Sequence, residues 1–210
     1  MKLHELHTQY NTDKGTAHSY IDTYDQLFEP YQHSSINFLE IGALTCGSLK
    51  MFHTYFSRAN IMGVDNWSQQ ADHEGKSFVS LGVDLAAIIQ DVTRNYPRVQ
   101  LITCDSTDAA QVAAKFVLSK LDIIVDDGDH HPHAQLQTFI NFLPYWNSTS
   151  GVYVIEDVFD VNYLHTLLMQ HVQAHQLPVN VVPKVFQKNG RGDDNLIVVS
   201  NNLIPAQIKF

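Results

Sequence analysis

The segment INFLEIGALTCGSLKMF, residues 36–52, opens as a short apolar run, reaches Glu40, turns through Gly42 and Gly47, and continues with helical spacing. A strand that passes through a glycine turn into a helix is the opening unit of a parallel sheet with crossover helices. The same rhythm repeats along the chain. Further strands are expected at Asn60 to Val64, Val99 to Cys104, Leu121 to Val125 and Val152 to Ile155. Helices are expected near Gly47 to Phe56, Leu85 to Tyr96, Asp108 to Leu118, Pro132 to Leu143 and Asn162 to His175. Val179 to Phe186 and Leu196 to Ser200 read as two more strands around the polar turn KNGRGDD, which makes them antiparallel neighbours and brings the strands to seven. The class is α/β.

Composition agrees. The chain has 210 residues, of which 44% are hydrophobic and 17% charged, enough apolar material for one sizeable core. Its 22 acidic and 13 basic residues give a formal charge of -9, which disfavours nucleic acid and anionic lipid as partners and favours a small or neutral one. Cys46 and Cys104 lie far apart without a CxxC spacing, so a disulfide framework and a thiolate zinc site are both disfavoured. The first residues, MKLHELHTQYNTDKG, hold no apolar leader core, and no run reaches the roughly 18 apolar residues of a spanning helix. A cytoplasmic protein is expected. Residues 1–30 are expected to form a helical cap or lid with the polar-aromatic stripe His18, Tyr20, Tyr24 and Phe28. Residues 31–210 are expected to form the main domain, with Trp67 to Ser80 as a mobile loop.

Function should collect where strands end. Glycines at a strand-to-helix turn let backbone N–H groups approach a ligand, and a helix N-terminus adds partial positive charge. The dinucleotide pattern G-x-G-x-x-G would need glycine at Leu44, so a nicotinamide site is weakened. Asp65, 25 residues after Glu40, is placed either to accept hydrogen bonds from ribose hydroxyls or to cap the next segment, and Asp105 after the third strand is placed to cap the next helix. In LDIIVDDGDHHPH an apolar strand ends in Asp126, Asp127 and Asp129 with His130, His131 and His133 close behind, and VYVIEDV brings Glu156 and Asp157 to the neighbouring strand end. Carboxylates held that close require a cation or a retained proton, and an all-oxygen set favours magnesium over zinc, which points to Asp127, Glu156 and Asp157 as metal ligands. An imidazole with a pKa near 6.5 suits a general base, and His130 lies nearest the carboxylates, with His131 and His133 as competitors.

The acidic residue before the glycine turn also resembles motif I of the class I S-adenosylmethionine-dependent methyltransferases. Taken with NTDKGTAHSYIDTYDQLF, VDDGDHH and YVIEDV, residues 11 to about 160 resemble the metal-dependent sugar O-methyltransferases of macrolide biosynthesis, the mycinamicin and tylosin group. That resemblance implies a Rossmann-like sheet of order 3-2-1-4-5-7-6, with the last strand antiparallel and helices on both faces. It also implies S-adenosylmethionine and Mg2+ as cofactors and a sugar or other small-molecule hydroxyl as acceptor. It matches Asp127, Glu156 and Asp157 to the metal, and His130 to the base. Glu40, Gly42, Gly47, Asp65 and Asp105 fall on cofactor positions, and Lys14, His18 and Tyr20 on a segment that closes over the site. The chain departs from the family pattern at Asp129, where a small hydroxyl residue is usual, in its sparser glycine loop, and in being too short for an additional N-terminal domain. A nicotinamide-dependent sugar oxidoreductase and a non-catalytic cofactor- or carbohydrate-binding subunit are the alternative readings. A homodimer is the base-rate expectation for assembly.

Overall fold

A computed structural model describes residues 1–67, 84–116, 120–186 and 190–201. The strands are β1 (Asn37–Ile41), β2 (Asn60–Asp65), β3 (Val99–Thr103), β4 (Ile123–Asp126), β5 (Val152–Ile155), β6 (Asn180–Val185) and β7 (Asn195–Ser200). They form one sheet of order β3-β2-β1-β4-β5-β7-β6. β1 to β5 pair in parallel, and β7 runs antiparallel to both β5 and β6. The helices are α1 (Leu3–Leu6), α2 (Ile21–Phe28), α3 (Gly47–Tyr55), α4 (Leu85–Asn95), α5 (Ala109–Lys115), α6 (Pro132–Phe142) and α7 (Val161–Ala174). Seven strands, their order and the antiparallel last strand are as the sequence led one to expect. The expected mobile loop lies outside the described residues apart from Trp67.

Alternation along the strands builds two cores, one on each face. Phe38, Ile123, Val125, Val152, Val154, Leu196 and Val198 point to one face, and Leu39, Ile41, Ile124, Tyr153, Ile155, Ile197 and Val199 to the other. Central β4, β5 and β7 are buried at every position, and Ile123–Val125, Val152–Ile155 and Leu196–Val199 within them are continuous apolar runs. β6 is an edge strand, so Pro183 removes no ladder bond that the sheet needs. Asp84, Asp108 and Asp160 cap α4, α5 and α7 by accepting backbone N–H groups.

The N-terminal segment joins the first core. Leu3, Leu6, Tyr20, Ile21, Tyr24, Leu27 and Phe28 are buried with α3 and β1. Phe28 stacks on Tyr24 at 4.8 Å between ring centroids and meets Phe38 and Phe52 edge-on, which ties α2 to the sheet. Register then sets the functional edge. Ile41 of β1 lies beside Asp126 of β4, which lies beside Ile155 of β5, so Asp127 and Glu156 emerge at one level just beyond Glu40.

Candidate active site

Lys14 enters this edge from the N-terminal segment with its side chain 1% exposed. Its ammonium donates to Asp127 Oδ2 at 2.7 Å and Glu156 Oε2 at 2.8 Å, and it stands 3.2 Å from Glu40 Oε1. Three strand ends are thus tied to one cation. Burial alone would lower the Lys14 pKa, but Asp127, Glu156 and Glu40 outweigh it and hold the amine charged, well above its ordinary range. Glu40 also accepts from Ser48 Oγ at 2.6 Å, and Glu156 Oε1 accepts from the Tyr24 hydroxyl. Burial pushes the Glu156 carboxyl well up against the opposing pull of Lys14.

Asp127, His130 and Asp157 form a second group. One donor atom from each lies within 4.8 Å of the others. His130 Nε2 stands 3.6 Å from Asp127 Oδ1 and 3.8 Å from Asp157 Oδ2. Burial works against the imidazolium, but Asp127, Asp157 and Asp126 prevail and push its pKa to about 9. Burial works against the Asp127 carboxylate too, and there Lys14 and His130 prevail and hold it at about 2. Asp157 is raised to about 6, by burial first and by Asp127 next. Its backbone is left-handed, with φ 53, a conformation that costs a non-glycine residue about 1–3 kcal/mol and gathers at functional sites. The three histidines separate clearly: the His131 imidazole meets Asp129 at 2.8 Å on the surface, the His133 imidazole meets the Tyr163 hydroxyl at 3.1 Å, and the His130 imidazole faces Asp127 and Asp157.

The glycine turn lies alongside. Gly42 has φ +84, and a Cβ there would sit 1.9 Å from the Asp127 carbonyl oxygen. Only glycine lets β1 turn against the end of β4 at this point. A Cβ on Gly47 would meet the Asn11 carbonyl at 1.7 Å, so this glycine is the floor on which the N-terminal segment rests. Leu44, where a nicotinamide fingerprint has glycine, adopts φ 39. Asp65 accepts from the Leu44 N–H at 2.9 Å and the Trp67 N–H at 2.8 Å. Asp105 accepts from Thr107 N and Oγ1 within its own turn. Asp65 and Asp105 thus shape their loops, and Asp65 lies near enough to Asp127 to feel its charge.

Of the residues expected on the closing segment, Lys14 turns to the carboxylates, and the Tyr20 hydroxyl donates to Asp157 Oδ1 at 2.7 Å. His18 faces Asp157 and Asp194. Sequence reading placed Tyr24 in the aromatic stripe without giving it the contact it makes with Glu156, and missed Gln135, whose amide donates to the Glu156 carbonyl at 2.9 Å. It also missed Asp193 and Asp194, which are buried although they belong to a stretch read as a polar turn. The signal available for them was that both acids stand just before β7, whose Leu196–Val199 run is wholly apolar.

No family model matches the chain. The chain is 28% identical over 162 residues to 8-demethyl-8-alpha-L-rhamnosyl tetracenomycin-C 2'-O-methyltransferase of Streptomyces olivaceus, a match covering 73% of this chain and 36% of that protein. It is 28% identical over 167 residues to mycinamicin VI 2''-O-methyltransferase of Micromonospora griseorubida, covering 74% of this chain and 36% of that one. Among solved structures, MycE methyltransferase of the mycinamycin biosynthetic pathway, in complex with Mg and S-adenosylhomocysteine, superposes with TM-score 0.70 at 23% identity, over 95% of this chain and 54% of that chain. A putative rRNA methylase from Clostridium thermocellum superposes with TM-score 0.60 at 10% identity. The chain therefore spans little more than a third of the length of the curated relatives it matches, has the class I methyltransferase fold, and resembles sugar O-methyltransferases over about three quarters of its length.

Proposed function

We propose that the chain is an S-adenosylmethionine-dependent, divalent-metal-dependent O-methyltransferase acting on a hydroxyl of a sugar or glycosylated small molecule. The observation that carries this reading is the convergence of Asp127, His130 and Asp157 next to a glycine turn that a side chain would block. Similarity to two sugar O-methyltransferases supports the substrate class.

The residues present fit both groups. Carboxylate oxygens with an imidazole beside them suit a hard divalent cation. Asp127 and Asp157 supply the convergent oxygens, with Glu156 as the third carboxylate on the Lys14 side. When bound there, a divalent cation lowers the pKa of an acceptor hydroxyl and orients it. The turn from Gly42 to Gly47 with Asp65 offers a backbone cradle and a ribose-facing acid for S-adenosylmethionine, a donor whose sulfonium methyl group is already activated.

The chain's own part is to position and to deprotonate. Asp127 and Asp157 keep His130 Nε2 turned toward the place where the acceptor hydroxyl would sit. The negative charge that favours the His130 imidazolium is the charge a bound cation takes up, so Nε2 can accept the hydroxyl proton in the loaded protein. Bound S-adenosylmethionine would supply the activated methyl group, and the chain's part would be to hold acceptor oxygen, methyl carbon and sulfur in line, which supplies much of the rate.

Calorimetric titration with S-adenosylhomocysteine, repeated with NAD, in magnesium and in excess chelator, tests the reading. Micromolar binding of the first ligand alone, about -8 kcal/mol, is the expected result. Binding of NAD with no binding of S-adenosylhomocysteine would overturn it in favour of a nicotinamide enzyme.

A further inference from the structure

His18 is 4% exposed, and its Nδ1 makes no hydrogen bond although it is enclosed by acids. Asp157 Oδ1 lies 3.4 Å from it and Asp194 Oδ1 lies 3.8 Å away. One donor atom each from His18, Asp157 and Asp193 falls within 4.8 Å of the others, and all three residues are buried. Asp157 belongs to this group and to the group it forms with Asp127 and His130. The geometry points to a second divalent-cation site on His18, Asp157 and Asp193, bridged through Asp157 to the one at Asp127.

Spacing is the first argument. A buried imidazolium paired with a carboxylate closes to hydrogen-bond distance, about 2.7–2.9 Å. Two ligand atoms each about 2.1 Å from a common ion stand roughly 3.0–3.4 Å apart, for octahedral to tetrahedral arrangement. The 3.4 Å between His18 Nδ1 and Asp157 Oδ1 is the second kind of distance.

Charge is the second. Among the described residues, the only permanently charged side chain in ion-pair contact with Asp157, Asp193 or Asp194 is Arg191, on Asp193. Buried acids with so little compensation favour a bound cation. Existing partners leave room for one. Arg191 donates to both Asp193 oxygens, at 2.9 and 2.6 Å, and Tyr20 donates to one oxygen of Asp157. A carboxylate offers about four lone-pair sites, so these bonds do not exhaust it.

The donor set names the ion class. One imidazole nitrogen with two carboxylate oxygens suits a first-row divalent ion such as Mn2+ better than Mg2+, which prefers oxygen alone. With His130 kept as the base, the Asp127 site holds its ion through carboxylate oxygens alone, so the site containing His18 is the one with a nitrogen donor.

The test uses chelator-stripped, full-length protein and Mn2+ alone, with free ion followed by electron paramagnetic resonance and heat by calorimetry. Two equivalents are expected in the wild type. His18→Ala and His18→Gln should each retain one, as should Asp127→Asn, and Asp157→Asn should weaken both. A single equivalent in the wild type, or two in His18→Gln, would overturn the proposal. Anomalous diffraction from Mn2+-soaked wild-type crystals checks it without any variant. A peak in contact with His18 Nδ1 and Asp193 supports the site, and a peak confined to Asp127 and Asp157 leaves His18 as an internal counter-ion and refutes it. The outcome does not depend on methyl transfer, because S-adenosylhomocysteine binding is measured separately and fails or succeeds on its own.

Discussion

Lys14 is the residue on which the site edge depends most. It is buried among Glu40, Asp127 and Glu156, so Lys14→Met keeps much of the volume but leaves buried acids without their cation. Removing one partner of a buried ion pair costs about 3–5 kcal/mol, and urea unfolding of Lys14→Met should show a loss of that order with little change in slope. Adding Glu156→Gln should recover part of it, because one of the orphaned charges is gone. A loss under about 0.5 kcal/mol, the range of an ordinary surface change, would mean the carboxylates are satisfied some other way. Gly42→Ala makes the complementary case from the backbone. Its new Cβ runs into the Asp127 carbonyl and the left-handed φ is strained, so roughly 3 kcal/mol should be lost and Asp127 displaced. Chemical denaturation and metal titration on the same variant should fail together. At this scale the sequence exposed acids and histidines by their crowding at strand ends, since Asp127 and His130 are neighbours in the chain. It could not expose Lys14 as their partner by spacing alone, because 113 residues separate it from Asp127 and no local period links them.

Elements were legible for a related reason. Each central strand is a short apolar run between polar breaks, and that contrast is local, so β1, β4, β5 and β7 can be found without knowing their neighbours. Faces were not legible. The run from His18 to Phe28 shows helical spacing, but which core it enters depends on Phe38, Phe52 and Phe56, which arrive from β1 and α3. Asp193 and Asp194 were misjudged in the same way. A Gly- and Asp-rich stretch between strands is normally a solvated turn, and here its second half is covered by the N-terminal segment, with Ser19 donating to Asp194 through both N and Oγ at 2.8 Å. If α2 anchors that segment, Phe28→Ala should cost about 3–5 kcal/mol, the usual range for deleting a buried aromatic ring. It should also raise hydrogen exchange in residues 1–20 above that in β4 and β5. Equal protection across those regions would show that the segment is held by its polar contacts and not by the aromatic cluster.

Across the whole molecule, the crowding of acids at one sheet edge should set the pH dependence of the metal-free protein. Asp126 is fully buried, and burial first of all pushes its carboxyl to about 7, far above the ordinary 3.8. A carboxyl raised in the fold binds its proton more tightly there than in the unfolded chain, so the cost of ionising it builds as pH rises from 3.8 to about 7 and is complete above that. That cost is on the order of 4 kcal/mol. His130 is raised to about 9, with its carboxylate neighbours overcoming burial, so its contribution is whole below 6.5 and is lost as pH climbs through about 9. Both effects make the chain less stable in alkali. His53 and His171, whose pKa values are lowered chiefly by burial, act the other way, since their neutral forms suit the fold and stability falls as pH drops below 6.5. Both are partly exposed, so solvent screens their contribution and the buried pair should dominate. Thermal melts in chelator should therefore show Tm falling steadily from pH 6 to pH 9, with Asp126→Asn removing the part below about pH 7. A saturating divalent cation should flatten the alkaline part by supplying positive charge to the carboxylates that otherwise rely on the His130 imidazolium. If Tm rises between pH 6 and 9 in chelator, the edge is not the electrostatic centre of the molecule, and its acids are neutralised by groups other than Lys14 and His130.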